Sequence, residues 1–195
     1  LGCQMNEHDS EVICAILEGM GYMAAHTAED ADLIIINTCA VRQKPEDKVA
    51  SLLGKYLALK ENKKELLIAV GGCMSQQEEA AHYIRDRFHH VDLIFGTHAL
   101  PRLPLLLEEA GHKTKTIIDI AEDYQDREGL RAMHSSSFKA WLPIIYGCNN
   151  FCSYCVVPYV RGRERSRIAG NIIEEARDLS ERGIKEITLL GQNVN

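Results

Sequence analysis

Three short, unbroken apolar runs constrain this chain most: "DLIIIN" (Asp32 to Asn37), "LLIAVGG" (Leu66 to Gly72) and "VDLIFG" (Val91 to Gly96). A strand with one wet face alternates apolar and polar residues, whereas an unbroken run marks a strand covered on both faces, as in parallel sheets. Between the runs the period becomes that of a helix. Val49, Leu52, Leu53, Tyr56 and Leu57 recur at helical spacing behind Pro45, a residue favoured in the first helical turn. Ser75 and Glu78 have the spacing of a capping box ahead of Ala81, Ile84 and Phe88. Asn6 to Met20 reads as a further helix, closed by Gly19 or Gly21. This alternation through about residue 120 predicts an α/β fold, an open and mostly parallel sheet with helices on both faces.

From Ala121 to about residue 140 the sequence turns polar and charged and ends in a serine run. Residues 121–140 are therefore expected to link a first domain, 1–120, to a second unit, 141–195. That unit opens with an apolar run from Trp141 to Tyr146, continues through a helix from about Ile168 to Arg182, and reaches a strand in "KEITLLG", Lys185 to Gly191. One βαβ unit cannot cover the faces of its own sheet. Leu1-Gly2-Cys3 reads as the end of a strand, so the chain is expected to be a piece of a longer protein.

Composition narrows the function. No apolar run nears the roughly 20 residues of a membrane helix and no basic-then-apolar leader opens the chain, which predicts a cytoplasmic protein with no membrane partner. The net charge of -6 opposes unspecific nucleic-acid binding by the whole surface and leaves room for a local basic patch. Arg161, Arg163, Arg165 and Arg167 form that patch. Alternating in an extended segment, they share one side, where they either solvate a loop or hold a carboxylate or phosphates. The eight histidines show no ligand spacing and read as surface residues.

The seven cysteines are odd in number and too scattered for a disulfide scaffold, so they point to thiol or metal chemistry in a reducing compartment. Cys3, Cys39 and Cys73 each sit just past the carboxyl end of an expected strand. In a parallel sheet those ends share the edge where ligand crevices form, so the three thiols either converge there or are ordinary small buried residues. Cys14 falls mid-helix and reads as packing. Cys148, Cys152 and Cys155 are different, because C-x3-C-x2-C in one loop brings three thiolates to three irons of a 4Fe-4S cluster and leaves the fourth iron open. A structural zinc site with His134 as fourth ligand is the alternative.

C-x3-C-x-aromatic-C, with Tyr154 as the aromatic, resembles the signature of the radical S-adenosylmethionine (SAM) superfamily. With "LGCQMNEHDSE", "INTCAVRQKPEDKV", "GGCMSQQE", "YVRGRERSR" and "LLGQNVN" in register, the chain resembles the methylthiotransferase family, most closely its tRNA-modifying members. The resemblance implies two 4Fe-4S clusters, the second held by Cys3, Cys39 and Cys73, and SAM as cofactor. It places Tyr154 near the adenine of SAM, Arg161 and Arg167 on its carboxylate or on tRNA phosphates, and Gln192 and Asn193 beside its methionine part. Where many members have proline, this chain has Ile168.

The implied reaction inserts a methylthio group at carbon 2 of an isopentenylated adenosine next to the anticodon. One SAM methylates a sulfide and a second yields the radical that opens the C-H bond. The implied partners are the tRNA anticodon stem-loop and an electron donor such as flavodoxin, acting with a monomer. This chain alone is expected to be inactive, since family members continue through a full barrel and a tRNA-binding domain. The alternatives are a ribosomal-protein aspartate methylthiotransferase, which "CQMN" and "GQNVN" oppose, and a non-enzymatic iron-sulfur or zinc binding module.

Overall fold

The computed structural model describes residues 2–40, 45–121 and 127–194. The first part runs α1 (Gln4–Gly19), β1 (Leu33–Thr38), α2 (Pro45–Asn62), β2 (Leu67–Gly72), α3 (Glu78–Arg87), β3 (Leu93–Phe95), a 3-10 turn (Thr97–Arg102), α4 (Leu103–His112) and β4 (Ile117–Asp119). The strands form one parallel sheet in the order β1-β2-β3-β4.

Alternation along each strand divides the core between two faces. Ile35, Ala69, Leu93 and Ile117 lie side by side across the sheet and pack under α1 and α4 with Val12, Leu103 and Leu107. Ile36, Val70, Ile94 and Ile118 form the neighbouring row, which packs under α2 and α3 with Leu53, Ala81 and Ile84. Cover on both faces is why these strands carry unbroken apolar runs. Leu53, Ile84 and Leu103 are fully buried, each contributing about 1.5–3 kcal/mol.

Helix α2 begins at Pro45, as expected, and α1 ends at Gly19 with Gly21 at φ 88 beyond it. Two local expectations are corrected. Ser75 does not cap α3. The chain turns at once after β2, Gln76 N–H donating to the Gly72 carbonyl at 3.1 Å, and this buries Ser75 with its Oγ 3.5 Å from Oγ1 of Thr38. The helix then starts behind Gln77, without a side-chain cap. Gly2 and Cys3 are not in a strand, and Leu1 lies outside the described residues. Cys3 is the N-cap of α1, its carbonyl accepting from Glu7 N–H at 3.0 Å.

The second part contains β5 (Lys139–Pro143), β6 (Ile145–Tyr146), α5 (Val157–Arg161), β7 (Arg165–Ser166), α6 (Ala169–Glu181) and β8 (Glu186–Leu190). Strands β5 and β8 pair in parallel, while β6 and β7 pair antiparallel, so the expected run from Trp141 to Tyr146 is two strands. Within the expected linker, 122–126 lie outside the described residues, but Glu128 is structural. Its carboxylate accepts from the backbone N–H of Ile168 and from Nδ2 of Asn171, both at 3.0 Å, and so caps α6 where Ile168 offers no polar side chain. Met5 of α1 packs with Trp141, Tyr146 and Leu190, which joins the two parts along one seam. No described helix is long and apolar enough to cross a membrane.

Candidate metal centres

The parallel register fixes the first cysteine set. Thr38 pairs with Gly72, so Cys39 and Cys73 leave the sheet side by side, and Cys73 N–H donates to the Thr38 carbonyl at 3.0 Å. Gly72 takes φ 102, and a Cβ there would lie 2.3 Å from the Thr38 carbonyl oxygen; only glycine allows this approach. The start of α1 is pinned to the same edge. Nδ2 of Asn6 donates to Oδ1 of Asn37 at 2.9 Å and to the Thr38 carbonyl at 3.0 Å, and Nδ2 of Asn37 returns a bond to the Asn6 carbonyl at 2.9 Å. Cys3, at the head of that helix, lies close enough to act electrostatically on Cys73. Cys14 is farther along α1, about 16 Å by helical rise, and is exposed. The expected packing role is therefore corrected: its face of α1 looks to solvent.

A buried group of charges stands behind these thiols. Asp9, 2% exposed, lies between two guanidinium groups, Oδ1 at 2.6 Å from Nη2 of Arg127 and Oδ2 at 2.6 Å from Nη1 of Arg161. Burial alone raises the Asp9 pKa, but Arg161 and Arg127 outweigh it and hold the carboxyl at about 2. Nε of Arg161 donates to Sγ of Cys73 at 3.1 Å. Burial still pushes the Cys73 thiol up to about 11 against the pull of Arg161. Arg127 also lies over the Tyr146 ring, 5.0 Å from its centre.

Three histidines expected at the surface turn inward instead, His8 and His98 buried and His134 half-buried. His8 and His98 are held near pKa 4, chiefly by desolvation, and are neutral at pH 7. His134 bonds Oε2 of Glu11 through Nδ1 at 3.2 Å, where it serves the seam between the two parts.

The second set is held on a loop between β6 and α5. Gly147 sits at φ 73, where a Cβ would come 2.2 Å from the Arg163 carbonyl oxygen. Its N–H donates to Oε1 of Gln192 at 2.6 Å. Cys148 N–H bonds the Gly162 carbonyl at 3.2 Å, Cys155 N–H closes a turn onto the Cys152 carbonyl at 2.9 Å, and Asn150 N–H points at Sγ of Cys148 at 3.5 Å. Cys148 is buried, Cys155 half-buried and Cys152 exposed.

The expected cofactor contacts separate into two groups. Tyr154 is 91% exposed beside the cysteine loop, Gln192 holds Gly147, and Asn193 bonds Glu164, whose N–H bonds Asn149 of that loop. Arg161 and Arg167, by contrast, turn inward. Arg161 ends α5 instead of joining an extended run, and Arg167 bonds Glu128, Glu175 and the Pro143 carbonyl. The expectation of four arginines on one side fails because a helix end and a short strand divide them. Asp9, Arg127 and Glu128 were invisible as site residues in the sequence; a buried acid between two distant arginines has no spacing signal.

Among the described residues no three His, Cys, Asp or Glu side chains are gathered tightly enough to hold a single ion. The donor chemistry fits a cube of four irons instead. Three thiols per set is the donor type and number that would serve three irons of such a cube, and the buried Arg161 guanidinium next to Cys73 would face the anionic charge that this ligation creates.

Residues 1–96 match the family model described as uncharacterized protein family UPF0004, and residues 142–195 match the radical SAM superfamily. The tRNA-2-methylthio-N(6)-dimethylallyladenosine synthase of Natranaerobius thermophilus is 54% identical over 195 residues, all of this chain and 43% of the relative. Those of Carboxydothermus hydrogenoformans and Clostridioides difficile are 50% and 52% identical over the same span, 44% and 41% of their lengths. The chain thus spans less than half the length of the curated relatives it matches. With both models in order along the sequence and relatives this similar from end to end, the chain belongs to the methylthiotransferase family of radical SAM proteins.

Proposed function

We propose that this chain is the cluster-bearing portion of an enzyme that inserts a methylthio group at carbon 2 of an isopentenylated adenosine beside the anticodon of tRNA. The observation that supports the reading is one hydrogen bond between the two parts of the chain: Sγ of Cys73, in the first cysteine set, accepts from Nε of Arg161, the last residue of the helix that follows the second set. The printed names of the relatives favour tRNA over a ribosomal protein as substrate.

When bound, two 4Fe-4S clusters and SAM supply a radical able to open an aromatic C–H bond and a sulfur to replace the hydrogen. The residues of this chain hold and orient. Cys3, Cys39 and Cys73 take the auxiliary cluster; Cys148, Cys152 and Cys155 take the one that binds SAM. The Cys73 thiol, pushed up by burial, gives up its proton on binding iron, which makes cluster assembly pH-dependent. Tyr154 stands open to an adenine ring, while Gln192 and Asn193 brace the cysteine loop. A monomer in the cytoplasm, reduced by a donor such as flavodoxin, completes the reading.

The test is mass spectrometry of tRNA nucleosides from a strain lacking the whole gene. The methylthio nucleoside disappears there and returns on complementation. An unchanged peak sinks the assignment, and a lost methylthio group on a ribosomal-protein aspartate replaces it with the other branch of the family.

A further inference from the structure

Arg161 is 5% exposed and comes from the second part of the chain, yet its side chain lies within the first. Nε donates to Sγ of Cys73 at 3.1 Å and Nη1 faces Oδ2 of Asp9 at 2.6 Å. The other oxygen of Asp9 belongs to Arg127. Two guanidinium groups thus share one carboxylate, and the buried group keeps a net positive charge. Nη2 of Arg161 is buried and has no hydrogen-bond partner among the described residues. A buried cation with an idle donor is costly unless an anion faces it. Besides Asp9, the groups that can become anionic and act on Arg161 are the thiols of Cys73 and Cys3.

Building on the proposed function, we infer that Arg161 is a positioning residue for the auxiliary cluster. Steered by Asp9, its guanidinium supplies the positive charge that faces the cluster's ligand sulfurs and raises its reduction potential. Hydrogen bonds and positive charge at ligand sulfur favour the reduced, more anionic state. The same side chain ties Cys73 to helix α5 and through it to Cys155, so the auxiliary site is poised only when the two parts of the chain are docked.

The test uses the whole protein with Cys148, Cys152 and Cys155 replaced by alanine, which leaves only the auxiliary cluster, about four irons. After anaerobic reconstitution the cluster is titrated with dithionite, which donates the single electron, and followed by electron paramagnetic resonance. Arg161→Gln lowers the reduced-to-oxidised ratio at fixed potential about tenfold, equal to about 59 mV for a one-electron couple. Asp9→Asn removes the countercharge and shifts the potential upward. Arg127→Gln, which does not touch sulfur, shifts it less than Arg161→Gln. A residue that only supports the fold gives no such opposition of sign.

An unchanged potential in Arg161→Gln at about four irons overturns this inference and leaves the proposed function standing. A parent protein that binds no iron overturns both. If the glutamine variant does not retain iron, Asp9→Asn decides: a higher potential supports the inference, and an unchanged or lower one overturns it.

Discussion

Oε1 of Gln192 accepts the backbone N–H of Gly147 at 2.6 Å, so the residues just past β8 hold the residue before the first cysteine of the loop. One neutral hydrogen bond is worth about 1 kcal/mol, too little to unfold the chain but enough to let a short loop wander. Gln192→Ala in the whole protein is expected to cut SAM cleavage at least about tenfold, since misplaced groups lose rate steeply. Iron at the proposed Cys3, Cys39 and Cys73 site should not change. Single-turnover assay of 5′-deoxyadenosine with iron analysis checks both; full activity sinks the bracing role.

Gly147 and Gly54 make a matched pair of substitutions. At Gly147, φ is 73 and an added Cβ meets the Arg163 carbonyl oxygen at 2.2 Å, so Gly147→Ala costs about 2–4 kcal/mol through strain and clash together. At Gly54, within α2, nothing lies within 4 Å of the same atom, and Gly54→Ala gains about 1 kcal/mol of helix propensity. Urea melts should shift in opposite directions.

The strands of the sheet and their parallel direction were legible because burial on both faces writes itself as unbroken apolar runs; the order β1-β2-β3-β4 is seen only in the structure. The convergence of Cys39 and Cys73 was legible for the same reason, since parallel strands end together. Burial of individual residues was not. Ser75 has the spacing of a cap but is consumed by the tight turn after Gly72, and Cys14 sits mid-helix on an exposed face. The arginines alternate in sequence, yet Arg161 ends a helix and reaches Asp9 across more than a hundred residues. Pairings that distant depend on how two parts dock, which local periodicity does not encode.

The cysteine assignments predict iron content directly. Reconstituted whole protein should carry about eight irons, from two four-iron clusters. Cys39→Ala should reduce this to about four, and Cys14→Ala should leave it unchanged, since Cys14 is exposed away from the strand ends. A zinc stoichiometry near one in the unmodified protein refutes the cluster reading.

Acid should unfold the protein earlier than its carboxylates alone would. Asp9 is held at about 2, below its ordinary 3.8; its contribution of about 2 kcal/mol is full above about pH 4 and is lost progressively as pH falls from there through about 2. His98 acts sooner. Desolvation, then Arg165, Arg127, Arg161 and Arg102, lower its pKa from 6.5 to about 4. The unfolded chain therefore takes the proton first, and falling pH from 6.5 to 4 removes about 3 kcal/mol of stability. Replacing His98 with glutamine removes that titration at the cost of some packing against Gly162. Urea midpoints of the cluster-free protein should fall steeply from pH 7 to pH 4.5, and less steeply in the glutamine variant. Identical slopes in the two proteins mean that His98 is charged, or already solvated, in the folded state.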